Sequence, residues 1–261
     1  MLRHKIYQSF VDLSSSRLVA SCIRRFTCSR LSRPLIRSFA ATYNINTEEA
    51  EKPLSQYQSL QSYFCRKLKE DVRPLPTAPG AVISPVDGLL GGTGTITPDA
   101  SFHIKGQAYP LDELLGSKKL AEQFKGGRYM IFYLAPGDYH RIHAPFDCHV
   151  LSRWALGKGS APVNELGLKL GKRPLSTNYR LLTYLERAGQ NAVLAKVGAL
   201  NVNAVHPTHL RTSWKKGEEV GFFSFGSTVI LLTEADMLKD TSSQAGEHVK
   251  MGEAVAAFSK K

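Results

Sequence analysis

The sequence predicts an α+β fold dominated by β-strands: a compact β-sandwich core of the barrel-sandwich-hybrid kind, preceded by an amphipathic helix. Short apolar runs separated by Gly, Pro and Asp follow from residue 81 onward, a pattern typical of strands joined by turns. Two similar segments, 216–220 and 250–255, each place a turn before an apolar strand start. With 261 residues, of which 43% are hydrophobic, the chain has room for one sizeable domain and an extension.

Before the strands, apolar side chains recur at helical spacing over 54–68, interleaved with basic ones. Such a helix either packs on the core or lies in the surface of an anionic bilayer, and the sequence leaves both readings open. Prolines and a glycine at 73–80 end the pattern. We therefore divide the chain into a basic extension, 1–46, a helix with a proline-rich linker, 47–80, and a β-rich domain, 81–261.

Within the β-rich domain, the apolar runs predict strands in seven places: 82–83, 91–96, 129–134, 180–185, 192–197, 221–225 and 228–232. A helical pattern of leucines over 111–124 interrupts them, with a break expected at Gly116. Strands dominate the second half of the chain.

The net charge of +12 is concentrated at the front of the chain. Residues 1–46 carry +7, so the remaining 215 residues carry only +5 and we do not expect a nucleic-acid partner. The front segment is rich in Arg and Ser, poor in acids and scattered with apolar residues, which is transit-peptide composition. It predicts mitochondrial targeting, with processing near residues 37–39. A disordered basic arm touching anionic lipid or RNA is the alternative.

Cysteines and hydropathy exclude other classes. The four cysteines, Cys22, Cys28, Cys65 and Cys148, show no Cys-x-x-Cys spacing, so neither a disulfide framework nor a zinc ribbon is indicated. No run of 18 or more apolar residues occurs, so we expect membrane contact to be peripheral.

Three short constellations could carry chemistry. Ser227 follows Gly226 between two apolar segments, where a tight bend or a strand edge is expected. His140 and His143 lie in one motif after the turn at 135–138. Asp87 precedes a glycine in a predicted turn. Taken alone, each of these residues fits a structural role better than a catalytic one.

Together, Asp87, His143 and Ser227 are the components of a relay in which a carboxylate orients an imidazole and the imidazole takes the serine proton. This set also fits a serine hydrolase that keeps Ser227 intact. The two histidines, with a further ligand such as Asp87, also fit a zinc hydrolase. A basic, non-catalytic protein that binds anionic lipid or serves as a scaffold is the third reading.

The flanking residues resemble the phosphatidylserine decarboxylase family over about residues 55–258. The motifs that carry the resemblance occur in the family's order: YFCRKLK at 63–69 with RP at 73–74, SPVDG at 84–88, YLAPGDYHRIHAP at 133–145, VGA at 197–199 and KGEEVGFFSFGSTV at 216–229. Two positions depart from the usual pattern, because Leu200 replaces a threonine and Phe225 replaces a leucine. The spanning helix of many mitochondrial members is not visible.

The resemblance implies that Asp87 orients His143, which deprotonates Ser227 for attack on the Gly226 carbonyl. The chain would then be cut between Gly226 and Ser227 into a large (β) and a small (α) chain that stay associated. Ser227 would become a pyruvoyl cofactor that forms a Schiff base with phosphatidylserine and releases carbon dioxide and phosphatidylethanolamine. His140 or His143 would protonate the product carbon.

The resemblance further implies a zymogen of phospholipid biosynthesis that needs no metal. We expect it at an anionic membrane surface, peripheral to the mitochondrial inner membrane, with a homodimer as one assembly to test.

Overall fold

The computed structural model describes residues 17–199, 205–224, 227–239 and 241–259. Seven α-helices occur in this part of the chain: α1 (Arg17–Cys28), α2 (Leu35–Thr42), α3 (Leu60–Phe64), α4 (Leu111–Leu115), α5 (Lys118–Gln123), α6 (Glu165–Leu170) and α7 (Pro174–Thr177). Single turns of 3₁₀ helix span Arg30–Ser32, Thr47–Glu49 and Leu54–Gln56. Among the described residues, no helix is long and apolar enough to cross a membrane.

The strands confirm the β-dominated α+β class. They are β1 (Ala81–Ile83), β2 (Gly88–Thr95), β3 (Ser101–Ile104), β4 (Gln107–Pro110), β5 (Arg128–Leu134), β6 (Arg141–His143), β7 (Cys148–Leu156), β8 (Arg180–Arg187), β9 (Gln190–Gly198), β10 (Val205–Pro207), β11 (Ser213–Trp214), β12 (Glu219–Phe223), β13 (Ser227–Thr233), β14 (His248–Val249) and β15 (Ala254–Ala257). Each predicted run overlaps one of these strands, although 91–96 extends one residue past β2 and 221–225 extends past the end of β12, with residue 225 outside the described residues. The helical segment at 111–124 forms α4 and α5, split where Gly116 takes a φ of +73°.

An eight-stranded antiparallel sheet with the order β11-β7-β8-β9-β13-β5-β2-β14 organises the domain. Its inner strand β13 is buried on both faces: Val229 and Leu231 belong to one core cluster, and Ile230 and Leu232 to the other. A continuous apolar run suits such a strand. Each of these side chains contributes about 1.5–3 kcal/mol by leaving water.

Two halves of the domain repeat one backbone plan. Strands β1 and β2 pair with β15 and β14, as β6 and β7 pair with β12 and β11. The two halves also bond to each other reciprocally. The amide of Ile83 donates to the Pro145 carbonyl at 3.0 Å, and the amide of His143 donates to the Pro85 carbonyl at 2.8 Å. Residues 81–88 and 141–148 are therefore equivalent, although the sequence showed only the repeat of their partner turns.

The partner turns are equivalent in detail. The amide of Met251 donates to Asp87 Oδ1 at 2.7 Å, and the amide of Lys216 donates to Asp147 Oδ1 at 2.8 Å. The repeat at 216–220 and 250–255 is thus a structural one.

The amphipathic helix predicted over 54–68 is present only in part, as a 3₁₀ turn and the five-residue α3. Ser59, in extended conformation, caps α3. After Cys65 the backbone pairs with residues 49–51: the amide of Glu51 donates to the Lys67 carbonyl, and the amide of Lys69 donates to the Glu49 carbonyl. These bonds use the groups that a longer helix would need.

Part of the predicted extension packs on the body. Ile36 and Ala40 of α2 are buried in a small cluster with Tyr57 and Tyr63. Residues 1–16, which carry the start of the predicted presequence, lie outside the described residues.

Candidate active site

The Gly226–Ser227 bond lies where β13 begins. Ser227 is the first residue of β13, opposite Leu134 of β5 and Gly198 of β9. Gly226 and the Ser227 side chain lie outside the described part of the structure. Because both neighbours pair with all of β13, the segment that starts at Ser227 is held on two sides.

Strand β12, which leads towards this bond, is lined by the histidine motif. His143 lies opposite Glu219, and the amide of Phe223 donates to the His140 carbonyl at 3.0 Å. The structure therefore places both predicted histidines along the strand that ends just before the serine.

His143 is buried, and both of its ring nitrogens have partners. Nδ1 lies 2.8 Å from the Gly217 carbonyl oxygen and Nε2 lies 3.1 Å from the Tyr139 hydroxyl. Because a carbonyl only accepts, Nδ1 donates and Nε2 accepts from Tyr139. Burial lowers the pKa of His143, against the smaller opposing effects of Gly217 and of the charges on Glu219 and Asp87. The ring is thus a neutral base at pH 7, with its lone pair on Nε2.

Tyr139 is a residue that sequence reasoning missed as a functional group. Its side chain is 5% exposed, and burial raises its pKa, so the hydroxyl keeps its proton. It lay inside the quoted histidine motif, but nothing in its spacing indicated a bond to His143 Nε2.

His140 is fully buried beside the ring of Phe64, with the ring centroids 4.0 Å apart. Its Nδ1 donates to the Asp138 carbonyl at 2.9 Å, while Nε2 has no partner among the described residues. Burial lowers the pKa of His140 to about 3. This imidazole is therefore neutral and has an unoccupied lone pair on Nε2.

Asp87 is buried in an ion pair with Arg73. The guanidinium donates from Nε at 3.1 Å and from Nη2 at 2.6 Å, and Arg73 also reaches Glu49 at 2.7 Å. The family resemblance implied that Asp87 orients His143. In the structure the Gly217 carbonyl accepts the hydrogen bond from His143 Nδ1, and the charge on Asp87 opposes the lowering of the His143 pKa.

A cavity of about 600 Å³ opens next to the start of β13. Tyr133, which pairs with Thr228, lines it together with Leu89, Leu166 and Leu168. Within the described residues, no group of three or more His, Cys, Asp or Glu is placed to hold a metal ion.

Comparison with known proteins identifies the family of this chain. The sequence model of the phosphatidylserine decarboxylase family matches residues 60–257. A phosphatidylserine decarboxylase proenzyme of Halalkalibacterium halodurans is 47% identical over 257 residues, covering 98% of this chain and 99% of the relative. Proenzymes of the same name from Anoxybacillus flavithermus (98% and 97% covered) and Bacillus cereus (98% of each covered) are 44% and 41% identical. The chain belongs to the phosphatidylserine decarboxylase family.

Phosphatidylserine decarboxylases are pyruvoyl-dependent enzymes made as proenzymes, which agrees with the resemblance seen in the motifs. The relatives named above are bacterial, and they align with 98% of the chain, most of the basic extension included. The predicted mitochondrial localisation therefore finds no support in them.

Proposed function

We propose that this chain cuts itself between Gly226 and Ser227 and then converts phosphatidylserine to phosphatidylethanolamine and carbon dioxide. The observation that carries the proposal is the position of Ser227 at the start of β13, directly after the strand that is lined by His140 and His143. Family membership supports the reaction.

Self-cleavage begins with the Ser227 hydroxyl, whose oxygen attacks the Gly226 carbonyl carbon and turns the amide into an ester. His143 takes the proton, because its Nε2 lone pair is that of a neutral imidazole. Tyr139 occupies that lone pair in the structure, so its hydroxyl either moves aside or passes the proton on while accepting the one from Ser227. β-Elimination then releases the Gly226 carboxylate and leaves a dehydroalanine at position 227, and water hydrolyses its imine form, with loss of ammonia, to a pyruvoyl group.

The residues around position 227 fit such a group. A serine follows a glycine there, and β5 and β9 hold the strand from its first residue. The 35-residue segment 227–261 can therefore remain bound after the cut. The pyruvoyl group supplies the electron-withdrawing carbonyl that decarboxylation of an amino-acid headgroup requires.

We assign His140 to the proton transfer that follows decarboxylation. Its Nδ1 proton is held by the Asp138 carbonyl, so only Nε2 is open to exchange. Because its pKa is about 3, Nε2 carries no proton at pH 7, so His140 first accepts a proton there from another donor and then passes it to the product carbon. The role of Asp87 is electrostatic, since its negative charge favours protonation of His143.

Two surfaces support a lipid substrate. The leucine-lined cavity suits apolar chains. On the N-terminal side, Phe26, Leu31 and Leu35 are 44%, 78% and 43% exposed, with Arg25 and Arg30 nearby in the chain. We propose that this face contacts an anionic bilayer peripherally. The homodimer and the mitochondrial address stay predictions.

Intact mass spectrometry tests the proposal. The unaltered chain is expected as two fragments, the smaller of 35 residues with a carbonyl at its start, whereas Ser227→Ala should give one uncut, inactive chain. Ser213→Ala, on the exposed start of β11, serves as the control and should be cut normally. An uncut unaltered chain that hydrolyses esters would favour the serine-hydrolase reading instead.

A further inference from the structure

Arg66 is a buried cation without a counter-ion in the part of the chain that the structure describes. Arg66 is only 4% exposed. Its Nη2 donates hydrogen bonds to the carbonyl oxygens of Gly137, at 2.8 Å, and Asp138, at 3.3 Å. Its Nε and Nη1 have no acceptor, and its guanidinium has no carboxylate partner, among the described residues. Burying a charged group with unpaired donors costs free energy, and a bound ligand that accepts from these donors would offset that cost.

The surroundings of Arg66 favour an anion. It lines a cavity of about 420 Å³ together with Lys52, Lys67 and Arg141. Lys52 lies 3.9 Å from Glu51 and Arg141 pairs with Glu219, so Arg66 and Lys67 supply the excess positive charge of the cavity. The guanidinium lies 5.2 Å from the centre of the Tyr63 ring. Several donors therefore share one cationic cavity.

This cavity is coupled to the active site. The Asp138 carbonyl accepts from Arg66 Nη2 and from His140 Nδ1, so a single oxygen separates the two side chains. Cys65 lies against β12 as well, with Sγ 3.4 Å from the Phe223 carbonyl. A ligand held by Arg66 would thus lie near the imidazole assigned to proton transfer.

The substrate of the proposed function carries two anionic groups, a carboxylate and a phosphodiester. Holding the carboxylate would stabilise the charge that decarboxylation must remove, and so would oppose the reaction. The phosphodiester keeps its charge throughout. An arginine that binds it would place the headgroup without raising the barrier.

Resting on the proposed function, we propose that the unpaired donors of Arg66 bind the phosphodiester of the lipid headgroup in this cavity. Arg66 then sets the distance between the headgroup amine and position 227, and it selects phosphodiester-linked serine over serine that lacks a phosphate.

The test compares Arg66→Gln and Arg66→Lys with Lys69→Gln, a control at an exposed lysine outside the cavity. Self-cleaved enzyme, verified by mass, is assayed for carbon dioxide release from phosphatidylserine and from a serine alkyl ether without phosphate. Arg66→Gln should lose about 10- to 100-fold in kcat/KM on phosphatidylserine, as expected for a lost hydrogen bond to a charged group, and little on the ether. Equal losses on both substrates would overturn the proposal.

Thermal shifts with glycerophosphoserine and with inorganic phosphate provide a readout that does not depend on activity or on cutting. Glycerophosphoserine should raise the Tm of the unaltered protein and of Lys69→Gln, less that of Arg66→Lys, and not that of Arg66→Gln. Stabilisation by inorganic phosphate alone would assign the cavity to a free anion and overturn the headgroup assignment.

If Arg66→Gln is not cut, the kinetic comparison of the two substrates is made with Arg66→Lys. If even the unaltered protein releases no carbon dioxide, the proposed function fails while the thermal shift still tests anion binding.

Discussion

The half of the domain that carries His143 and the half that carries Asp87 share one backbone plan but differ in side chains. Ile83 occupies in one half the place that His143 occupies in the other, and Asp147 corresponds to Asp87. Asp147 is exposed, whereas Asp87 is 6% exposed and paired with Arg73. The repeated backbone thus provides two equivalent positions for each side chain, and burial and neighbouring residues determine which position can be catalytic.

The two partner turns show the same division of roles. In each, a glutamate accepts from the amide of a lysine three residues earlier: Glu218 from Lys215 and Glu253 from Lys250, both at 2.9 Å. The first turn presents the Gly217 carbonyl to an imidazole, and the second presents an amide to a carboxylate. The same turn geometry therefore supplies a carbonyl acceptor to His143 in one half and an amide donor to Asp87 in the other.

The largest expected effect separates His143 from Ile83. His143→Ala should slow self-cleavage at least about 100-fold, because the general base is lost. Ile83→Val should leave cleavage unchanged and cost about 1 kcal/mol in stability. Gel analysis of cutting over time measures the cleavage rate of both variants.

In the unaltered protein the rate of self-cleavage should stay constant as the pH falls from 7 to 6, because burial lowers the pKa of His143 and keeps the imidazole neutral. A decline centred near 6.5 would contradict that environment.

The next effect separates the two aspartates. Asp87→Asn removes the charge that pairs with buried Arg73 and should cost about 3 kcal/mol in the free energy of unfolding. Asp147→Asn, at the exposed equivalent, should cost under about 1 kcal/mol. Urea denaturation of both variants in the uncut Ser227→Ala chain measures the difference. Equal costs would show that the two halves hold their carboxylates alike.

A smaller effect concerns the turn glycines. Gly217 and Gly252 have φ values of +80° and +93°, so an alanine at either position should cost about 1–2 kcal/mol. At Gly217 the added Cβ would also lie 2.5 Å from Leu75 Cδ1, and the carbonyl that orients His143 would shift. Gly217→Ala should therefore slow cutting as well, and Gly252→Ala should not. Leu75→Ala added to Gly217→Ala should restore part of the stability, and its failure to do so would rule out the clash.

The smallest effect comes from the turn glutamates. Glu218→Gln and Glu253→Gln should each cost under about 1 kcal/mol at pH 7. The hydrogen bond from the Lys215 amide lowers the pKa of Glu218. Burial has a smaller opposing effect, and the charges of His209 and Arg211 lower the pKa further. Its contribution to stability is therefore present above its unfolded pKa and is lost as the pH falls through the lower folded value. Urea titrations from pH 7 to pH 3 should show a shallower acid decline for Glu218→Gln, and an unchanged slope would contradict this.

The fold class and most strands could be predicted because short apolar runs and glycine turns are local signals. Helix α3 fell short of its predicted length because pairing between residues 49–51 and 67–69 is not local. The same limit applied to charge: Arg66 reads as one cation on a basic helix face, but the fold buries it at the carbonyls of Gly137 and Asp138.

By itself, the sequence determined the family, the serine at 227 and the histidine motif, since these depend on residue types in a fixed order. The tertiary structure alone decided what each group does. The acceptor for His143 Nδ1 lies 74 residues away in the chain, and the amide that binds Asp87 lies 164 away. Hydrogen-bond partners, burial and hence pKa depend on such distant contacts, for which a linear pattern carries no signal.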